Sequence, residues 1–101
     1  MKYEEISVND LNNLNVSNKK FILLDVRTDM EVIQSKIPNS THIPMDEISN
    51  RIEELDNKDN IIVYCKSGKR SAKICEYLVI NNFINVKNLK GGIIEWAKQV
   101  D

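Results

Sequence analysis

The sequence has few of the residues that staple, ligate or anchor a chain. Two cysteines, Cys65 and Cys75, occur among 101 residues, too few for a disulfide scaffold. In a reducing compartment both are expected to be thiols. His42 is the one histidine; with the two cysteines it forms no zinc-like ligand set, so neither a metal nor a cofactor is expected. Excess positive charge is also missing. A net charge of -1 argues against a nucleic-acid binder, which needs a basic face. The apolar stretches, such as Ile61–Cys65 and Leu78–Ile80, are far too short to span a bilayer. The opening residues, MKYEEISVND, carry an acidic pair where a signal peptide needs an apolar region. The expectation is a cytoplasmic protein with no membrane contact. No repeat period and no low-complexity tract is present.

What remains is an ordinary globular balance. Hydrophobic residues at 42% and charged residues at 29% support one modest core, hence a single domain over residues 1–101. Three β-type runs stand out: Phe21–Asp25, Asn60–Cys65 and Asn85–Leu89, with weaker candidates at Tyr3–Ile6 and Thr41–Ile43. The first two are nearly continuous in apolar residues, as expected for strands covered on both faces. Helical segments lie between them. Ser7 can cap one that carries Val8, Leu11 and Leu14. Thr28 can cap another, with Glu31 completing a capping-box pattern. Ile48, Ile52 and Leu55 recur at helical spacing. Ala72, Cys75, Leu78 and Val79 make one apolar helix face ending near Asn81, and a last helix follows Gly91 and Gly92. Alternation of this kind predicts an α/β fold: a mostly parallel central sheet of about five strands with helices on both faces.

In such sheets ligands bind beyond the carboxyl ends of the strands. After Asn60–Tyr64 the chain reads Cys65-Lys66-Ser67-Gly68-Lys69-Arg70-Ser71. A cysteine there is held at a rigid strand end while the following backbone turns into a helix N-terminus. That turn can aim several N–H groups at one point, and the helix dipole adds partial positive charge. Lys66, Lys69 and Arg70 add formal charge. A free thiol with a pKa of ~8.5 is only about 3% ionised at pH 7, so a drop of roughly two units makes it mostly thiolate. Gly68 suits a tight anion-binding loop that needs positive φ. Cys65 is therefore the candidate nucleophile, and Lys66, Ser67, Gly68, Lys69 and Arg70 are the candidate substrate-binding loop.

At this loop the chain resembles the rhodanese family, whose active loop reads C-x-x-G-x-R; Cys65, Gly68 and Arg70 match it. Leu24-Asp25-Val26-Arg27 followed by Glu31 resembles the family's D-V-R-x-x-x-E segment. Ile37-Pro38-Asn39-Ser40, then His42-Ile43-Pro44, is similar to its I-P-x-A…I-P segment. Leu89-Lys90-Gly91-Gly92 with Trp96 resembles its terminal L-x-G-G-x-x-x-W signature. Ser35-Lys36-Ile37 replaces the usual G-H-I triplet, and Val32 replaces the aromatic that commonly follows the family Glu.

The resemblance implies a single-domain sulfurtransferase. Cys65 thiolate would take the outer sulfur of thiosulfate or of a persulfide, and a thiol, cyanide or protein-cysteine acceptor would remove it. Two other classes compete. Phosphatases and arsenate reductases of related fold carry a longer C-x5-R loop, whereas here the arginine falls at C-x4-R and Ser71 takes the next position. The other class is a non-enzymatic regulatory, scaffolding or sulfur-relay binding domain of the family; the regulatory and scaffolding ones commonly lack the cysteine, which is present here.

The other polar residues have plainer readings. Asp25 and Arg27, at a strand end beside a helix start, are expected to be structural, with Arg27 and Glu31 spaced i,i+4 for an ion pair. His42 reads as a satisfied loop histidine, Cys75 as a core residue and Trp96 as a core anchor. Ser71 is expected to be an early helix residue whose hydroxyl satisfies a local backbone group.

Overall fold

The computed structural model describes residues 2–17 and 19–99. Five strands are interleaved with helices: β1 Glu4–Ile6, α1 Val8–Ser17, β2 Ile22–Asp25, α2 Asp29–Gln34, β3 Thr41–His42, α3 Ile48–Arg51, β4 Asn60–Tyr64, α4 Lys69–Ile80, β5 Asn85–Leu89 and α5 Gly92–Gln99. All described pairings are parallel, in the order β1-β5-β4-β2-β3. The expected α/β architecture is therefore observed. Its strands differ from the sequence reading by one residue at most ends. Phe21 precedes β2, Tyr3 precedes β1, Ile43 follows β3 and Cys65 follows β4. The run through Ile48, Ile52 and Leu55 is one short α-helix flanked by 3-10 turns at Met45–Glu47 and Ile52–Glu54.

Alternation along β4 sorts its side chains between two cores. Ile61, Val63 and Cys65 join Leu24, Val26 and Val86 against Ile48 of α3 and Ile74, Cys75 and Leu78 of α4. Ile62 and Tyr64 join Ile6, Leu23 and Leu89 on the other face, under Val8 and Leu11 of α1, Ile93 of α5 and half-buried Trp96. Cys65 keeps the period of β4 one residue past its end, so its side chain lies on the α4 face. Chain order reverses at the middle of the sheet: β2 continues outward to β3, while β4 continues the opposite way to β5 and β1. The loops after β2 and β4 flank that switch point, where open α/β sheets place their ligands.

The helix starts follow their sequence signals. Ser7 Oγ accepts the Asp10 N–H at 3.0 Å. Thr28 and Glu31 form the reciprocal capping box on α2, with the Glu31 N–H donating to Thr28 Oγ1 and the Thr28 N–H to Glu31 Oε1.

Candidate active site

The turn from β4 into α4 wraps around the Cys65 sulfur. Gly68 has φ +103°, the positive value expected of it, and forms the N-cap of α4. The Gly68 N–H donates to Sγ at 3.1 Å and the Ser71 N–H at 3.4 Å, while Ser71 Oγ lies 3.3 Å away. Cys65 is only 1% exposed. Burial pushes its thiol up. The N–H groups of Ser71, Gly68 and Ser67 pull it down, and the balance lies below the ordinary thiol value.

Those N–H groups face the sulfur because the loop carbonyls are engaged elsewhere. The first turn of α5 donates from Ile93 N to the Cys65 carbonyl at 3.0 Å and from Ile94 N to the Lys66 carbonyl at 3.1 Å. The Gly68 carbonyl accepts from Ala72 N at 3.2 Å and from Asn88 Nδ2 at 3.1 Å. Gly92, with φ +62°, permits this docking. A Cβ there would strike the Lys66 carbonyl oxygen and come within 2.5 Å of the Cys65 carbonyl oxygen. The double glycine thus lets a helix N-terminus clamp the loop from behind.

The charged residues of the loop divide. Lys66 and Lys69 are exposed. Arg70 of α4 donates to Glu31 of α2 through two bonds of 2.8 and 2.9 Å. That pair, with Arg70 the leading cause, holds the Glu31 carboxyl down to about 2. The expected Arg27–Glu31 ion pair does not form. Arg27 is buried against the sheet, where its guanidinium meets Asp25 at 2.7 Å and donates to the Ser35 carbonyl at 2.7 Å. Asp25 in turn accepts from Tyr64 Oη at 2.8 Å, and Tyr64 Oη accepts from Ile37 N at 3.2 Å. This buried network ties the exit of α2 to the central strand, so Asp25 and Arg27 are structural, as read.

Two further positions keep their plainer readings. His42 Nε2 lies 2.7 Å from the Arg27 carbonyl, so that nitrogen donates and the ring is satisfied, at the end of β3 and not in a loop. Cys75 is fully buried among the core residues, and burial pushes its thiol far up.

Sequence reasoning missed two partners of the site. Asn88 lies on β5 two residues after buried Val86, on the face that carries the apolar core. A polar side chain at that period was the available signal. The Ser71 hydroxyl, expected on a local backbone group, meets the Asn88 side chain at 2.6 Å instead. Asn88 Nδ2 also donates to Glu5 on β1 at 3.1 Å.

Known proteins resemble this chain in sequence and fold. The rhodanese-like domain family model matches residues 7–99. A sulfurtransferase of Allochromatium vinosum is 36% identical over 94 residues, covering 93% of this chain and 88% of the relative. A putative sulfurtransferase of Bacillus subtilis is 36% identical over 96 residues, covering 95% and 92%. The crystal structure of a rhodanese-like domain protein from Staphylococcus aureus superimposes with a TM-score of 0.87 at 35% identity, covering 92% of this chain and 90% of that one. With the match spanning every strand but β1, and every helix, the chain belongs to the rhodanese-like domain family.

Proposed function

We propose that the protein is a sulfurtransferase that carries a sulfane sulfur on Cys65. The observation that carries this reading is the convergence of loop N–H groups on a single buried sulfur. In the first step Cys65 thiolate attacks the outer sulfur of thiosulfate or of a persulfide. The donor's S–S bond breaks, and sulfite or the donor thiolate leaves with the bonding pair. Cys65 is then a persulfide whose terminal sulfur carries the negative charge. An acceptor thiolate, from a small thiol or a protein cysteine, attacks that sulfur and releases Cys65 thiolate. No base is needed once the thiolate has formed.

The loop supports sulfur chemistry over phosphoryl or arsenate chemistry. A tetrahedral oxyanion needs a free arginine and a wide ring of donors, whereas Arg70 is committed to Glu31 and Cys65 is 1% exposed. Incubation with thiosulfate, and separately with glutathione persulfide, followed by intact-mass measurement tests the reading. The wild type gains one sulfur and Cys65→Ser gains none. Absence of the adduct with both donors refutes it; turnover of an aryl phosphate would favour the phosphatase class.

A further inference from the structure

The donors around Cys65 are not equivalent. A backbone N–H has one fixed direction, but the Ser71 hydroxyl has one hydrogen and two candidate acceptors. Asn88 Oδ1 lies at 2.6 Å and Cys65 Sγ at 3.3 Å. Which acceptor wins depends on how the Asn88 amide is turned. Its Nδ2 group points at two acceptors, the Glu5 carboxylate and the Gly68 carbonyl, each at 3.1 Å. Reversing the amide would set Oδ1 against both oxygens. The amide is therefore fixed with Oδ1 toward Ser71, and at 2.6 Å, a short O–H···O distance, it claims the hydrogen.

We propose that Asn88 is a positioning residue that holds the Ser71 hydroxyl turned away from Cys65, leaving backbone N–H groups to receive the sulfur's charge. In the thiol form Ser71 Oγ offers a lone pair to the S–H. In the thiolate form the same lone pair faces the anion. The restraint keeps the thiolate more basic than its cradle could make it, and a more basic thiolate is the stronger nucleophile. The other charged and titratable groups facing the sulfur are Arg70, already paired with Glu31, and neutral Cys75. Lys66 and Lys69 are exposed neighbours on the loop.

The inference rests on Cys65 being the reacting atom and not on any donor, so alkylation by iodoacetamide tests it separately from sulfur transfer. Rates are measured from about pH 5 to about pH 9, which separates the titration midpoint from the plateau. Asn88→Ala frees the hydroxyl to donate to sulfur, and the rate at pH 6 rises about tenfold with the midpoint moved down. Ser71→Ala removes the lone pair, and the rate at pH 6 rises about threefold. In a Ser71→Ala background, Asn88→Ala gives no further rise. Glu5→Ala, at an exposed position, loosens the amide and gives a rise of about threefold. It decides the matter together with Ser71→Ala if Asn88→Ala does not fold. Slower alkylation at pH 6 in Ser71→Ala would show that the hydroxyl donates to sulfur, and would overturn the proposal. So would an Asn88→Ala effect that persists without Ser71, since that is what a merely structural role produces.

Discussion

Replacing Gly92 with alanine should disable the site without changing any residue that contacts the sulfur. The added Cβ meets backbone on the loop side: the Lys66 carbonyl oxygen, the Cys65 carbonyl oxygen at 2.5 Å and the Lys66 carbonyl carbon at 2.6 Å. None is the end of a flexible side chain, so α5 and the loop must part. Parting them breaks the Ile93 and Ile94 bonds to the loop carbonyls, each worth about 1 kcal/mol net. Alanine at φ +62° adds about 1 to 2 kcal/mol of left-handed strain. The expected loss is about 3 to 4 kcal/mol, a fall in Tm of roughly 15–25 °C for a domain of this size. Thermal unfolding by circular dichroism reads it, and alkylation of Cys65 at pH 6, below the unfolding range, reports the released cradle as a slower rate. Gly68→Ala is the comparison. Its φ is also positive, but the nearest atom to a Cβ there is Gly91 N at 3.6 Å, so strain acts without collision and the loss should be about half as large. A Gly92→Ala protein that melts within about 5 °C of wild type, a shift of about 1 kcal/mol or less, would refute the clamp.

Other outcomes follow from the same geometry. Glu31→Gln keeps an acceptor for the capping box but removes the charge that holds Arg70; urea unfolding should show a loss of about 1 kcal/mol at pH 7, since both groups are partly exposed. Because the folded Glu31 carboxyl titrates at about 2 against an ordinary 4.5, this contribution is fully present above pH 4.5 and fades as the pH falls toward 2. The gap between wild type and Glu31→Gln should therefore narrow on acidification, and a constant gap would exclude an ionic origin. Tyr64→Phe leaves the Ile37 N–H without its acceptor and Asp25 without one of its donors, for an expected loss of about 1–3 kcal/mol in urea midpoint measurements. Cys75 should resist iodoacetamide in the folded protein at pH 8 and react on unfolding; labelling of both thiols in the native state would contradict its burial.

The sequence carried the framework of this fold because its signals are local. Apolar runs, the Thr28–Glu31 capping box and the glycine after Cys65 each act within a few residues, and each appears where its spacing placed it. What could not be read was pairing between segments. Arg27 has Glu31 at helical spacing, yet its side chain leaves the loop toward the sheet and takes Asp25, freeing Glu31 for Arg70 39 residues away. Charge counting could not show that Arg70 has a partner, because Glu31 lies on another element. Tyr64 looked like one more apolar residue of β4, and its hydroxyl became legible only once Asp25 stood beside it in register. Asn88 showed only as a polar side chain at a core position of β5; its bond to Ser71 is a pairing between segments.

The order of the strands also sets when the site can exist. β1, among the first elements in the chain, has no partner until β5 pairs with it, and Glu5 meets Asn88 across a separation of 83 residues. Such distant pairings are the slow, entropically costly part of folding. During synthesis, a nascent chain that already displays Cys65 and its loop still lacks both the α5 clamp and the β5 asparagine. The loop around the thiol therefore takes its final form only when the last strand and helix close over the sheet. A ribosome-bound or proteolytically clipped chain ending before Gly91 would lack the Ile93 and Ile94 donors to the Cys65 and Lys66 carbonyls, so Cys65 would sit in an unclamped loop.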